Sequence, residues 1–278
     1  MKRKYRHAII TGGSSGIGRA IAYQLAKQGT HVTIIARSAD RLQLAKSAIE
    51  AVSIAPIPMV LSLSADVSDE VQATQAIEDA IAQLGPPDLL ITCAGIAHPG
   101  HFQSIPSEVF ERTMAVNYFG ALYCIRAALP AMAKQGKGSI CLISSGAGLI
   151  GLYGYSPYCP SKFAVRGLAE SLRAELKPMG IQVAIAYPPD TDTPQLIEEN
   201  KTKPAATKEI TGTAKLWQPE DVARVVLKGL DKGQFAIAPG IEMSILSRLH
   251  SLISPLLNRH FDGIVSRHRT RLTKATDN

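Results

Sequence analysis

The chain has 278 residues, 46% of them hydrophobic and 19% charged, with a formal net charge of +7. That length can bury a three-layer α/β core as one domain, and no repeat or low-complexity linker marks a second one. The excess positive charge sits at the two ends, in Lys2, Arg3, Lys4 and Arg6 and in six Lys/Arg from residue 245 onward against Asp262 and Asp277. A near-neutral body without aromatic residues interleaved in a basic groove argues against nucleic acid as a partner.

The first six residues are basic but run straight into a strand with no apolar h-region, so no cleaved secretory signal is expected. His7-Ala8-Ile9-Ile10-Thr11 is a short apolar, β-branched run. From Gly16 to Gln28 the period becomes helical, with Ile17, Ile21 and Leu25 on one face and Gly29 as a stop. Between strand and helix lies Gly12-Gly13-Ser14-Ser15-Gly16-Ile17-Gly18. A glycine-rich turn that opens a helix aims backbone N–H groups and the positive dipole end at a phosphate. The spacing differs from the G-x-G-x-x-G fingerprint, and no Lys-Ser/Thr follows to make an ATP-binding loop.

The second strand, 31–36, is followed by Arg37-Ser38 and no acid. A carboxylate here would bond the adenine ribose hydroxyls and repel a 2′-phosphate, whereas an arginine grips that phosphate with a planar fork. The cofactor expected is NADPH/NADP. Further strand-like runs at 58–64, 88–93, 138–144, 181–187 and 234–238 alternate with amphipathic helical stretches. The fold class is therefore α/β, a doubly wound parallel sheet of about seven strands with helices on both faces. Cys93, Cys124, Cys141 and Cys159 lack C-x-x-C pairing and read as free thiols, with no metal set.

The run 139–145 is a strand ending in Ser144-Ser145 at the carboxyl edge, where such sheets bind ligands. Tyr158 and Lys162, spaced i, i+4, share a face of the helix expected from Tyr158 to about Lys177; Pro157 and Pro160 fit its first turn. A phenol with a pKa of about 10 is a sluggish acid at neutral pH, and a neighbouring ammonium would lower that value. Ser145 can hold and polarise a carbonyl. The set describes a carbonyl reductase.

Together, Thr11 to Gly18, Cys93-Ala94-Gly95, Asn117, Ser145 and Tyr158-x3-Lys162 resemble the motif set of the short-chain dehydrogenase/reductase family over roughly residues 7–240. The resemblance implies a Rossmann-like domain over 1–240, with Tyr158 as general acid, Lys162 as its tuner and a ribose contact, and Ser145 orienting the carbonyl. It implies that Asn117 holds a relay water and that Asp66 and Val67 flank the adenine. Gly12, Ser14, Ser15, Gly16, Ile17, Gly18, Arg37, Ser38, Ala94, Gly95, Pro188, Thr191 and Thr193 complete the cofactor set. Two departures stand out: Thr92-Cys93 where many members have Asn-Asn, and Pro188-Pro189 where many have Pro-Gly.

Within a substrate loop expected over 188–216, Ala186 to Pro194 and Glu198 to Pro204, with Gly167 to Glu170 and Phe261 to Val265, further resemble the 3-ketodihydrosphingosine reductases. That implies NADPH-dependent reduction of the C3 ketone of a long-chain sphingoid base, by a cytoplasmic homo-oligomer (dimer or tetramer), peripheral on the cytoplasmic face of a membrane (the endoplasmic reticulum in a eukaryote). Another apolar ketone (steroid, retinoid or acyl chain) and a non-catalytic NADPH-binding role remain the competing readings. In the extension 241–278, the segment 241–257 is apolar but carries Glu242, Arg248 and His250, too interrupted for a span of ~20 apolar residues. With its basic flank it suits an amphipathic helix on an anionic membrane surface, or equally a helix packed on its own domain or in a dimer interface.

Overall fold

In the computed structural model, residues 5–52, 58–212 and 215–276 are described, with side chains as far as residue 268. Lys2, Arg3 and Lys4, and the side chains of Arg269, Arg271 and Lys274, lie outside these limits.

The alternating pattern folds as β1 (His7–Thr11), α1 (Gly16–Lys27), β2 (His31–Ala36), α2 (Ala39–Glu50), β3 (Val60–Ser64), α3 (Glu70–Leu84) and β4 (Leu89–Thr92). There follow α4 (Ser107–Met114), a π-helical turn (Ala115–Phe119), α5 (Gly120–Gln135), β5 (Gly138–Ile143), α6 (Tyr158–Leu176) and β6 (Ile181–Ala186). The chain closes with α7 (Pro194–Thr202), α8 (Ala205–Thr211), α9 (Pro219–Asp231), β7 (Ala236–Ile237) and α10 (Gly240–Thr276). The seven strands form one sheet in the order β3-β2-β1-β4-β5-β6-β7, every pair parallel. Because helices cover both faces, the strands are apolar on both sides. One layer is built by Ile21 and Leu25 of α1, Leu42 and Ile49 of α2 and Val226 of α9; the other by Ile77 of α3, Cys124 and Ile125 of α5 and Val165 of α6.

Strand order reverses between β1 and β4, which opens a crevice at their carboxyl ends. There the Thr11 hydroxyl accepts the Cys93 and Ala94 N–H groups, each at 3.1 Å, and ties the two turns together. Thr92, in place of a family asparagine, leaves its buried hydroxyl without a partner.

Two segments differ from the sequence expectation. The stretch 188–216 is not an open loop. The Thr193 hydroxyl accepts the Leu196 N–H at 3.3 Å and caps α7, Pro194 starts that helix, and Pro204 precedes α8. The C-terminal helix also runs well past residue 257. Its inner face packs Met243 and Leu246 on the core and Ile264 on Ala206 and Ile210 of α8. Arg267 and His268 each reach Glu209 at 2.7 Å.

Candidate active site

The glycine turn is shaped by close approach. A Cβ on Gly12, whose φ is +67°, would lie 2.9 Å from the Ala94 Cα, and one on Gly18 would press into the Gly12 carbonyl. Neither backbone can retreat, so only glycine fits. Ser15 stands at the N-cap of α1, but its hydroxyl makes no capping bond, which leaves the first N–H groups facing the cleft with their dipole. That arrangement fits a dinucleotide pyrophosphate.

A cleft of about 480 Å³ runs from this turn across the sheet edge. At one end it is lined by Arg37, Ser38 and Asp66, and at the other by Ser145, Tyr158, Pro188 and Thr191. The whole sequence-derived cofactor set borders it; Asn117 does not. Arg41 also lines the cleft, one helical turn beyond Arg37, and sequence reasoning missed it. Asp66 is not free: its carboxylate takes Arg112 at 2.6 Å and the Ser68 hydroxyl at 2.7 Å. Although partial burial opposes ionisation, these bonds hold the carboxyl below its usual value.

Tyr158 begins α6 and Lys162 follows one turn later, both buried. The Lys162 Nζ donates to the Ile143 carbonyl at 3.0 Å and lies 5.5 Å from the centre of the Tyr158 ring. Ser144 donates to the Lys162 carbonyl at 3.1 Å, so β5 and α6 are locked together just before Ser145. Asn117 sits behind the cleft in the π-helical turn. Its amide donates to the Ile96 carbonyl at 3.0 Å and the Ser161 hydroxyl at 2.9 Å, and its oxygen accepts the Ile96 N–H at 2.8 Å. The side chain thereby fixes the loop after β4 against α6.

The electrostatics differ from the expectation that Lys162 lowers the phenol. Burial first, and then the Glu199 carboxylate, push Tyr158 well above its ordinary value, while its hydrogen bond with Ser145 pulls it down. Burial also draws the Lys162 ammonium down to about 8. The phenol thus carries its proton at neutral pH, as a proton donor must. A further group was not foreseen: Tyr155 donates its hydroxyl to Glu199 at 2.6 Å, its ring centre 5.7 Å from that of Tyr158. Residues 155 and 199 are far apart in sequence and meet only because α7 folds over the cleft.

Residues 6–204 match the family model of the short chain dehydrogenases. The chain belongs to the short-chain dehydrogenase/reductase family. It is accordingly an oxidoreductase that uses a nicotinamide cofactor. Among curated members, a 3-dehydrosphinganine reductase of Danio rerio is 44% identical over 257 residues, covering 92% of this chain and 77% of its own. A 3-ketodihydrosphingosine reductase of Dictyostelium discoideum is 39% identical over 279 residues, covering 95% and 84%. Among solved structures, levodione reductase superposes with a TM-score of 0.77 at 26% identity, covering 84% of this chain and 95% of that one. A Burkholderia phymatum member in complex with NAD shares the fold, with a TM-score of 0.80 at 21% identity over 92% and 96%.

Proposed function

We propose that this reductase uses NADPH to convert the C3 ketone of 3-ketodihydrosphingosine into the alcohol of dihydrosphingosine. The observation that carries the reading is the extent of the likeness. Relatives named for that activity match 92% of the chain, past residue 204, where the family model ends. The likeness therefore extends into the C-terminal part of the chain, beyond the segments common to the family.

NADPH is favoured over NADH by the cleft end where Arg37, Ser38 and Arg41 line the wall. The two guanidiniums would hold a 2′-phosphate through charge-assisted forks. The pyrophosphate would lie on the amides of Ser15 to Gly18. Lys162 would contact the nicotinamide ribose, beside Gly95, where a Cβ would press on the Asn117 side-chain oxygen at 3.3 Å. When bound, the dihydronicotinamide supplies a hydride.

Ser145 and Tyr158 would hold the substrate carbonyl oxygen between two hydroxyls, polarising it. As charge develops on that oxygen, Tyr158 gives up its phenolic proton, and the buried Lys162 ammonium stabilises the phenolate left behind. Asn117 positions the Ile96 loop and α6 so that this geometry holds. Turnover on a panel of carbonyl substrates tests the assignment: 3-ketodihydrosphingosine is expected to exceed steroid, retinoid and acyl ketones in kcat/KM, and a steroid or retinoid ketone leading the panel would replace it.

The substrate's long chain partitions into bilayers, and α10 offers a means of working there. Ile241, Ile245, Leu249, Leu252 and Leu256 are exposed and recur at helical spacing along one stripe. Arg248 and Arg259 flank it. Such a face lies in the interface of an anionic membrane. No helix among the described residues is long and apolar enough to cross one.

A further inference from the structure

In 3-ketodihydrosphingosine the carbon beside the ketone carries an amine, protonated at neutral pH, and Ser145, Tyr158 and Lys162 include no acceptor for a cation. We propose that Glu199 receives this ammonium and so selects 2-amino ketones over plain ketones, a role that rests on the substrate reading above.

Glu199 lines the same cleft as Tyr158 and is 8% exposed. One carboxylate oxygen accepts the Tyr155 hydroxyl at 2.6 Å and the other the Gln195 amide at 2.8 Å. Both donors are neutral, and among the described residues no lysine or arginine pairs with it. Lys203, at the end of α7, is directed elsewhere: its Nζ lies 3.9 Å from the Asp190 carboxylate and 5.7 Å from the Tyr155 ring centre. Lys162 donates to the Ile143 carbonyl. Asp190 and Glu199 are matched in number by Lys203 and by the buried Lys162 ammonium, whose charge the Glu199 carboxylate favours, yet neither cation bonds to Glu199. A buried carboxylate that no cation contacts directly is costly. A substrate ammonium would complete the set.

The substrate sets the reach required. An α-amino ketone has the N–C–C=O skeleton of an amino-acid residue, so its nitrogen lies about 2.5 Å from the carbonyl carbon. A charge-assisted hydrogen bond spans about 2.8 Å more. A ketone held at the Tyr158 hydroxyl therefore needs its acceptor about 5 Å from the carbonyl carbon, on a group neighbouring Tyr158. The Tyr155 and Tyr158 ring centres are 5.7 Å apart, and Tyr155 carries Glu199 on its hydroxyl. The Glu199 charge is felt at the Tyr158 phenol.

The experiment compares kcat/KM for 3-ketodihydrosphingosine with that for the same chain lacking the 2-amino group, using the unmodified protein, Glu199→Gln and Glu199→Asp. The unmodified protein is expected to prefer the amino ketone by roughly tenfold or more, the low end for a hydrogen bond to a charged group. Glu199→Gln should collapse that ratio towards one, and Glu199→Asp, which keeps the charge, should retain part of it. Equal use of both ketones by the unmodified protein overturns the inference and leaves the substrate reading standing, a result that needs no folded variant. A Glu199→Gln protein that loses both activities in proportion also overturns it, because the carboxylate would then serve only to hold Tyr155. Turnover of neither long-chain ketone, with reduction of some other ketone, removes the substrate reading and this inference with it.

Discussion

The Lys162 ammonium stands 5.5 Å from the centre of the Tyr158 ring, yet its hydrogen bond goes to the Ile143 carbonyl, at 3.0 Å. The lysine is thereby fixed to the end of the strand that carries Ser145 rather than hydrogen-bonded to the phenol. Burial draws it down to about 8, so its charge is present below that pH and lost above. The expected consequence is a kcat/KM for reduction that falls as pH rises through about 8, with Lys162→Arg moving the fall upward and Lys162→Ala weakening cofactor binding and turnover together. A flat profile from pH 7 to 10 would contradict a charged Lys162.

Tyr158→Phe removes the proton donor and little else, since the ring still fills its buried place. The expected loss in kcat is at least ~100-fold, the low end for general acid catalysis, with cofactor binding largely kept. Titration of cofactor fluorescence separates the two effects. A variant within a few-fold of the parent would refute the assignment.

Arg37→Asp should cost NADPH ~1.5–3 kcal/mol of its preference over NADH, the range for hydrogen bonds to charged groups. Because Arg41 lines the same wall, the single variant should retain some preference, and Arg37→Asp with Arg41→Ala should lose it. Ratios of kcat/KM for the two cofactors read this directly. Equal use of both by the unmodified protein would sink the assignment.

His7 supplies a stability prediction away from the site. Its Nδ1–H donates to the Gly85 carbonyl at 2.7 Å, which leaves Nε2 to accept the Thr33 hydroxyl at 2.9 Å. Burial lowers its pKa from 6.5 to about 4. The unfolded chain therefore binds a proton here between those values while the folded one does not, and stability falls as pH drops through that window. The full effect is about 3 kcal/mol. Thermal unfolding of the parent should weaken from pH 6.5 to 4, and His7→Gln should flatten that part of the curve. Identical pH dependence in both proteins would contradict it.

The exposed stripe of α10 is tested by substitution rather than truncation, because Met243 abuts the turn after Ser145 and Ile264 packs on α8. Removing the helix would disturb the site itself. Leu249→Glu with Leu252→Glu should abolish sedimentation with anionic vesicles, seen with the parent at low salt and weakening as salt rises. Turnover of a short, water-soluble ketone should persist. A parent that binds no anionic vesicle at any salt would remove the membrane role, and a pair of substitutions that changes only oligomeric state would assign the stripe to another copy of the chain.

Much of the fold was legible because strands buried on both faces read as unbroken apolar, β-branched runs, such as Val32 to Ile35 and Leu89 to Ile91. Their ends moved by a residue or two, and the last strand shrank to Ala236–Ile237, since ladder pairing sets strand limits and composition does not. The residues at Ser145, Tyr158 and Lys162 were legible because the chemistry demands a spacing. Arg41, Tyr155 and Glu199 obey no such spacing. The Tyr155–Glu199 contact exists only once α7 folds over the cleft, and the inner face of α10 is defined by Ala206 and Ile210, far away in sequence. The π-helical turn at Asn117 likewise has no signal in Ala115 to Phe119 that distinguishes it from an ordinary helix.

The most direct measurement is incubation of the purified protein with 3-ketodihydrosphingosine and NADPH deuterated at the transferable position, followed by mass spectrometry of the lipid. The expected product is dihydrosphingosine carrying one deuterium at C3, formed in step with loss of NADPH absorbance and suppressed in Tyr158→Phe. Unchanged ketone beside unconsumed NADPH, in a protein that reduces some other ketone, would contradict the assignment.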